Sequence, residues 1–202
     1  MRIFLAGGSG VLGVRLVPLL AGAGHTVAAM TRSAQKADLL AGLGAEPVVC
    51  DVFDAAGLTA AVTAFGPDLV MHQLTDLPDR ADQLAEFGRR NARMRLEGTG
   101  NLLAAAKAAG AAQFVAQGIS WELDTVPARN ANGAFERMVL QAGGVVVRYG
   151  QLYGPGTYYE SAPPAPPRIH VDDAARLTLA AMDAPAGLAI AADERALHDE
   201  HE

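Results

Sequence analysis

The chain has 202 residues, half of them hydrophobic but only 5% aromatic, and a net charge of −6. That length suits one domain with a core of Ala, Val and Leu. The acidic balance argues against a nucleic-acid partner, which needs a basic footprint, and no apolar run reaches the roughly 18 residues of a membrane span. An apolar run at 2–6 reads as a buried strand, followed by G-G-S-G-V-L-G and by helical spacing of Leu12, Leu16, Leu19 and Leu20 over 11–20. Further strands are expected at 26–30, 47–50, 68–72, 112–117, 145–148 and 188–191. Helices are expected at 34–44, 55–65, 81–109, 132–142 and 174–182. Strands alternating with helices predict an α/β fold, a doubly wound parallel sheet with helices on both faces, in a single domain over 1–202. The segment 193–202 is acidic and polar and is expected to fray. The first strand is expected to begin at Arg2, so no leader is expected, and the single cysteine, Cys50, excludes an internal disulfide. Cys50 reads as a buried, inert thiol, and the expected location is cytoplasmic.

Gly7, Gly10 and Gly13 occupy the first strand-to-helix turn. Glycine tolerates the tight turn and lets the backbone approach a pyrophosphate, while the helix N-terminus offers free N–H groups and a positive dipole end. The context therefore predicts a dinucleotide site of the Rossmann type. The residue at the end of the second strand reads the adenosine ribose: an acid there suits NAD, an Arg the 2′-phosphate of NADP. That position carries Thr31-Arg32-Ser33, with no acid before Asp38. Arg32 can fork onto a phosphate and Ser33 can add a hydroxyl, so NADP(H) is expected, with NAD(H) the alternative. A solvated surface Arg is the plainer reading of Arg32.

The turn is spaced G-x-x-G-x-x-G, and four further segments accompany it: V-V-C-D-V-F-D at 48–54, N-A-R-M-R-L-E-G-T-G-N-L-L-A-A-A-K-A-A-G at 91–110, V-V-V-R-Y-G-Q-L-Y-G-P-G-T at 145–157 and R-I-H-V-D-D-A-A at 168–175. In these the chain resembles the extended or atypical short-chain dehydrogenase/reductase family, which includes sugar-nucleotide epimerases and dehydratases. The resemblance implies that Gly7, Ser9, Gly10, Val11, Leu12 and Gly13 hold the pyrophosphate. It implies that Asp51 accepts from the adenine amino group with Val52 offering its backbone, although Asp51 could equally cap a turn. Gln73, Leu74 and Thr75 would line the nicotinamide pocket, with Asn91 and Tyr149 beside the cofactor. The family's substrate segment is cut down here to S-A-P-P-A-P-P at 161–167, a stiff bridge that leaves a reduced substrate lobe.

The family's reaction uses a Tyr as acid/base, a Lys four residues on, and a Ser or Thr that polarises the substrate oxygen. Ser120 suits the last role, but the Tyr-x-x-x-Lys pair is absent: the only lysines are Lys36 and Lys107. The matching places fall near Ala128 and Asn132, or Gly133 and Arg137 in a slipped register. Substitute groups exist. His72 ends the fourth strand and could act as acid or base or simply pack there. Tyr158 and Tyr159 lie where the lobe is trimmed, and Trp121 and Glu122 follow Ser120. No histidine or carboxylate spacing suggests a metal. The resulting expectation is an NADP(H)-binding oxidoreductase or epimerase-like enzyme acting on a small carbonyl or hydroxyl compound. The alternatives are a catalytically silent nucleotide-binding sensor or scaffold and a non-redox isomerase or cyclase. A homodimer is expected through the small residues Gly98, Gly100, Ala104, Ala105 and Ala108, which could instead pack on the sheet.

Overall fold

The computed structural model describes residues 1–78 and 80–193, so all of the expected tail except Asp193 lies outside the described residues. In chain order the first half contains β1 (Arg2–Ala6), α1 (Gly13–Gly22), β2 (Thr26–Thr31), α2 (Ala37–Gly42), β3 (Glu46–Val49), α3 (Ala55–Phe65) and β4 (Leu69–His72). Next come α4 (Gly88–Arg93), α5 (Thr99–Ala108), β5 (Gln113–Ile119), α6 (Val126–Gln141) and β6 (Val145–Tyr149). The chain continues with β7 (Gln151–Tyr153), β8 (Arg168–His170), α7 (Val171–Ala180) and β9 (Gly187–Ala191). Seven strands form one sheet in the order β3-β2-β1-β4-β5-β6-β9, every pair parallel. The order reverses between β1 and β4, and a doubly wound sheet binds its ligand in the crevice outside such a switch point.

The two faces of the sheet bury separate apolar layers, because successive strand side chains point to opposite sides. Ile3, Leu5, Met71 and Val147 pack with Leu16 and Leu20 of α1 and with Ala174 of α7. Phe4, Val70 and Val146 pack with Leu58 and Val62 of α3, Leu102 of α5 and Phe135 of α6. Each fully buried Leu or Phe among these contributes about 1.5–3 kcal/mol of transfer free energy.

Several boundaries differ from the sequence reading, each for a local reason. The α6 helix starts at Val126, six residues before expectation, because the Thr125 hydroxyl accepts from the Ala128 N–H at 3.3 Å and Pro127 sits in the first turn, where it needs no N–H partner. The start of α7 at Val171 is capped by the His170 ring, with Asp172 and Asp173 in the first turn. The expected helix over 81–109 is instead a 3₁₀ segment (Ala81–Phe87), α4, a π-helical turn (Met94–Gly98) and α5. The three-residue strands β7 and β8 pair in parallel as a small second sheet, too short to leave a periodic signal. Of the small residues expected at a dimer face, Gly98 and Ala105 are buried inside the domain, while Ala104 and Ala108 face outward. Cys50 is half-buried rather than buried, and burial, then Asp54 and Asp51, push its thiol pKa up, so it stays protonated.

Candidate functional site

The turn after β1 brings the backbone to the cleft floor. Gly7 has φ +94°, and a Cβ there would lie 2.7 Å from the Gln73 carbonyl oxygen, so a side chain would strike the chain leaving β4. A Cβ on Gly13 would lie 2.2 Å from the Gly7 oxygen, so α1 can press on the turn only with glycine there. Leu12, at the N-cap of α1, makes no side-chain cap, which leaves the helix N-terminus to an anionic ligand. Arg15 fastens α1 to the segment after β7, donating to Asp172 at 2.7 Å and to the Pro155 carbonyl at 2.6 Å.

A cleft of about 1510 Å³ runs along the C-terminal strand ends. Gly7, Ser9, Gly10, Val11 and Leu12 form its wall at β1, and Arg32 and Ser33 its end at β2. Gln73, Leu74, Thr75, Asn91, Tyr149 and Tyr158 also line it. At the β2 end the Ser9 and Thr31 hydroxyls are 2.9 Å apart, and Arg32 lies half-exposed with its guanidinium 3.8 Å from Asp76. Asp76 is held by a two-pronged contact from Arg90 at 3.0 and 3.1 Å. Lys36 joins this end of the cleft. The only carboxylate among the described lining residues is Asp124, at the opposite end.

Three expected contacts lie off the cleft wall. Gly13 supports the turn from behind. The Asp51 carboxylate accepts from the Phe53 N–H at 2.9 Å, the turn-capping alternative, and the Val52 carbonyl accepts from the Asn101 amide at 2.9 Å. The proposed catalytic trio is not brought together. Ser120 donates to the Tyr149 carbonyl at 3.1 Å and faces a separate hollow lined by Pro166, Pro167 and Arg168. His72 is buried between the Phe114 and Phe135 rings. Its Nδ1 accepts from the Leu74 N–H at 3.2 Å, so the proton sits on Nε2, 3.0 Å from the Thr99 hydroxyl. Burial and the nearby Arg95 push the His72 pKa down to about 3, which keeps the ring neutral and unable to cycle a proton near pH 7. Tyr158 does reach the cleft, where its hydroxyl donates to the Pro78 carbonyl. Tyr149 is buried, which drives its pKa up to about 12 against a hydrogen bond with Thr178.

Two lining groups, Asn132 and Arg95, escaped notice in the sequence or were seen there only as a misfit, whereas Gln73 is an expected lining residue. Asn132 stands on the cleft wall one helical turn after Ala128. Its amide N–H donates to Glu136 at 3.3 Å, leaving its Oδ1 buried without a partner. Both amide atoms of Gln73 are likewise buried without a hydrogen bond of good geometry. Arg95, in the π turn, is 6% exposed and lines the cleft. The one sequence signal for Arg95 is its place on the same helical line as Gly98, Leu102 and Ala105, all buried.

A glycine turn at the switch point of a doubly wound parallel sheet, opening on a cleft with cations at the β2 end and orphaned polar atoms along its wall, fits a dinucleotide and defines a dinucleotide-binding domain. The chain belongs to the NAD-dependent epimerase/dehydratase family, whose model matches residues 3–120. It is 35% identical to a 3-diazoavenalumate denitrifying reductase from a Streptomyces species, covering 92% of this chain and 73% of that protein. It is also 35% identical to a decarboxylating sterol-4-alpha-carboxylate 3-dehydrogenase from Dictyostelium discoideum, over 45% of this chain and only 27% of that enzyme. The fold matches that of the Thermus thermophilus UDP-glucose 4-epimerase in complex with NAD, with a TM-score of 0.77 at 21% identity, covering 98% of this chain and 79% of that one. In broad class the protein is thus an NAD(P)-dependent oxidoreductase or epimerase. Among the described residues no helix is long and apolar enough to cross a membrane.

Proposed function

We propose that this protein is an NADP(H)-dependent reductase that delivers a hydride to a small-molecule acceptor. The observation that carries the cofactor choice is the β2 end of the cleft, where Arg32, Ser33 and Lys36 lie together and, among the described residues, no acid lines that end. The cofactor supplies the hydride when bound. The glycine turn would take its pyrophosphate, and its nicotinamide half would lie beside Gln73 and Asn132, which line the cleft.

Reduction is favoured over epimerisation by the proton balance of the site. An epimerase must move a proton in both directions, yet the places matched to the family's Tyr hold Ala128 or, in a slipped register, Gly133, and burial keeps His72 neutral. The acceptor that suits such a cleft is one needing hydride alone, an electrophile that expels its own leaving group. A diazoarene in its cationic form is of this kind: hydride adds to carbon and the carbon–nitrogen bonding pair departs with dinitrogen. Similarity to a denitrifying reductase supports this acceptor class over a carbonyl.

Calorimetric titration with NADPH and NADH tests the cofactor. NADPH should bind at least tenfold tighter, and Arg32→Ala should remove that preference, a change of about 1.4 kcal/mol. Equal affinities in the wild type would reject the assignment. Loss of NADPH absorbance with a diazobenzoate, and dinitrogen release, tests the reaction. If NADPH binds and neither diazoarenes nor carbonyls consume it, the silent nucleotide-binding reading replaces this one.

A further inference from the structure

Arg95 is a cation set into the cleft wall to which the described residues bring no carboxylate contact. One of its N–H groups donates to the Gln117 carbonyl, and the guanidinium lies over the Phe135 ring, 4.6 Å from its centroid. Glu136 is near enough to act on it electrostatically. Both Glu136 oxygens, however, are held by Arg148 at 2.9 Å each, and Asn132 donates to one of them. Glu136 is therefore taken up by Arg148 and Asn132 and makes no direct contact with Arg95, and the His72 ring alongside is neutral. Burial lowers the Arg95 pKa only to about 10, so the charge persists at neutral pH.

A buried guanidinium whose direct partners are one carbonyl and one ring keeps N–H donors for an anion that enters the cleft. A guanidinium presents a planar fork that matches a carboxylate in two-pronged geometry. The position separates this cation from the cofactor's phosphates. Gln117, Gly118 and Ile119 line the cleft beside it at the end of β5, whereas the glycine turn and Arg32 lie at the ends of β1 and β2, beyond β4 in the sheet order. Leu74, Trp121 and Leu123 also line the cleft and supply an apolar surface. We propose that Arg95 is the carboxylate-binding residue of the substrate subsite, and that the substrate is a small acid with an apolar, aromatic-sized body. This rests on the reading above only in naming the occupant of the other half of the cleft as NADP(H).

The test compares matched acids and amides. Benzoate and cinnamate, with benzamide and cinnamamide as neutral counterparts, are titrated into the NADPH-loaded protein by calorimetry. Each acid should bind at least tenfold tighter than its amide. Arg95→Met should erase that ratio, Arg95→Lys should keep only part of it, and the NADPH affinity of both variants should stay within twofold of the wild type. The proposal is overturned if the wild type shows no preference for the acids, or if the preference survives in Arg95→Met. It is also overturned if NADPH affinity falls together with acid affinity, which would assign Arg95 to the cofactor. Should Arg95→Met not fold, as read by circular dichroism, the wild-type ratio and the Arg95→Lys ratio decide by themselves. If the wild type binds no NADPH, the cofactor reading fails alone, and the acid–amide ratio on the unloaded protein still judges Arg95.

Discussion

His72 ends β4 with its Nδ1 accepting from Leu74 and its Nε2 against the Thr99 hydroxyl, enclosed by two phenylalanine rings. A free histidine titrates at 6.5, and this one is pushed down to about 3. The unfolded chain therefore binds a proton between those values that the folded chain refuses. Its contribution to stability is full above pH 6.5 and is lost as pH falls toward 3, with a slope of at most about 1.4 kcal/mol per pH unit. Calorimetric melting from pH 7 to pH 4 should show this acid limb. His72→Leu should lower the melting temperature at pH 7 through the lost hydrogen bonds yet flatten the limb, and an unchanged limb would assign it to other groups. Asn132 poses a different question on the same scale. A carboxylate only accepts, so the Glu136 contact fixes the Asn132 amide with its N–H group on Glu136 and leaves its buried oxygen without a partner. Asn132→Leu should weaken NADPH about tenfold while leaving 2′,5′-ADP, which lacks the nicotinamide half, unaffected. Equal losses for both ligands would make Asn132 merely structural.

At the scale of elements, α1 and its glycine turn are the most constrained unit. A methyl group on Gly13 would overlap the Gly7 and Gly8 backbone, whereas one on Gly22, at the far end of the same helix, meets nothing within 4 Å. Gly13→Ala should therefore cost about 1–3 kcal/mol, read as a fall in melting temperature of about 2–4 °C per kcal/mol for a chain of this size. Gly22→Ala should be neutral or slightly stabilising, because it removes only unfolded-chain freedom. Similar melting temperatures for the two would refute the packing argument. The stretch from Ala81 to Ala108 carries the opposite lesson. Its composition is helical throughout, but the chain adopts a 3₁₀ segment and a π turn before settling into α5. The π turn carries buried Arg95 onto the cleft wall, as wide turns within helices often serve functional sites.

For the whole molecule, the outward small residues Ala104 and Ala108 on α5 leave a surface where a second copy could approach closely. Light scattering at micromolar concentration should give twice the 20.9 kDa chain mass, and Ala104→Arg should return the monomer mass. A wild type already monomeric would refute this. The glycine turn, the alternation of strand and helix, Arg32 at the β2 end and the missing Tyr-x-x-x-Lys pair were all legible in the sequence, because each depends on spacing within a few residues. What the chain order could not reveal was which of its polar groups would meet. Ser120, His72 and Tyr158 sit at plausible strand ends and loops, yet the sheet turns Ser120 toward the Pro166–Pro167 side and closes two rings over His72. Arg95 is one of four arginines in the run from 89 to 95, and only the packing of α6 and β5 against the π turn selects it for the cleft. Burial and charge pairing are set by neighbours far along the chain, from 22 positions for Arg95 and Gln117 to 63 for His72 and Phe135, so these properties belong to the tertiary structure.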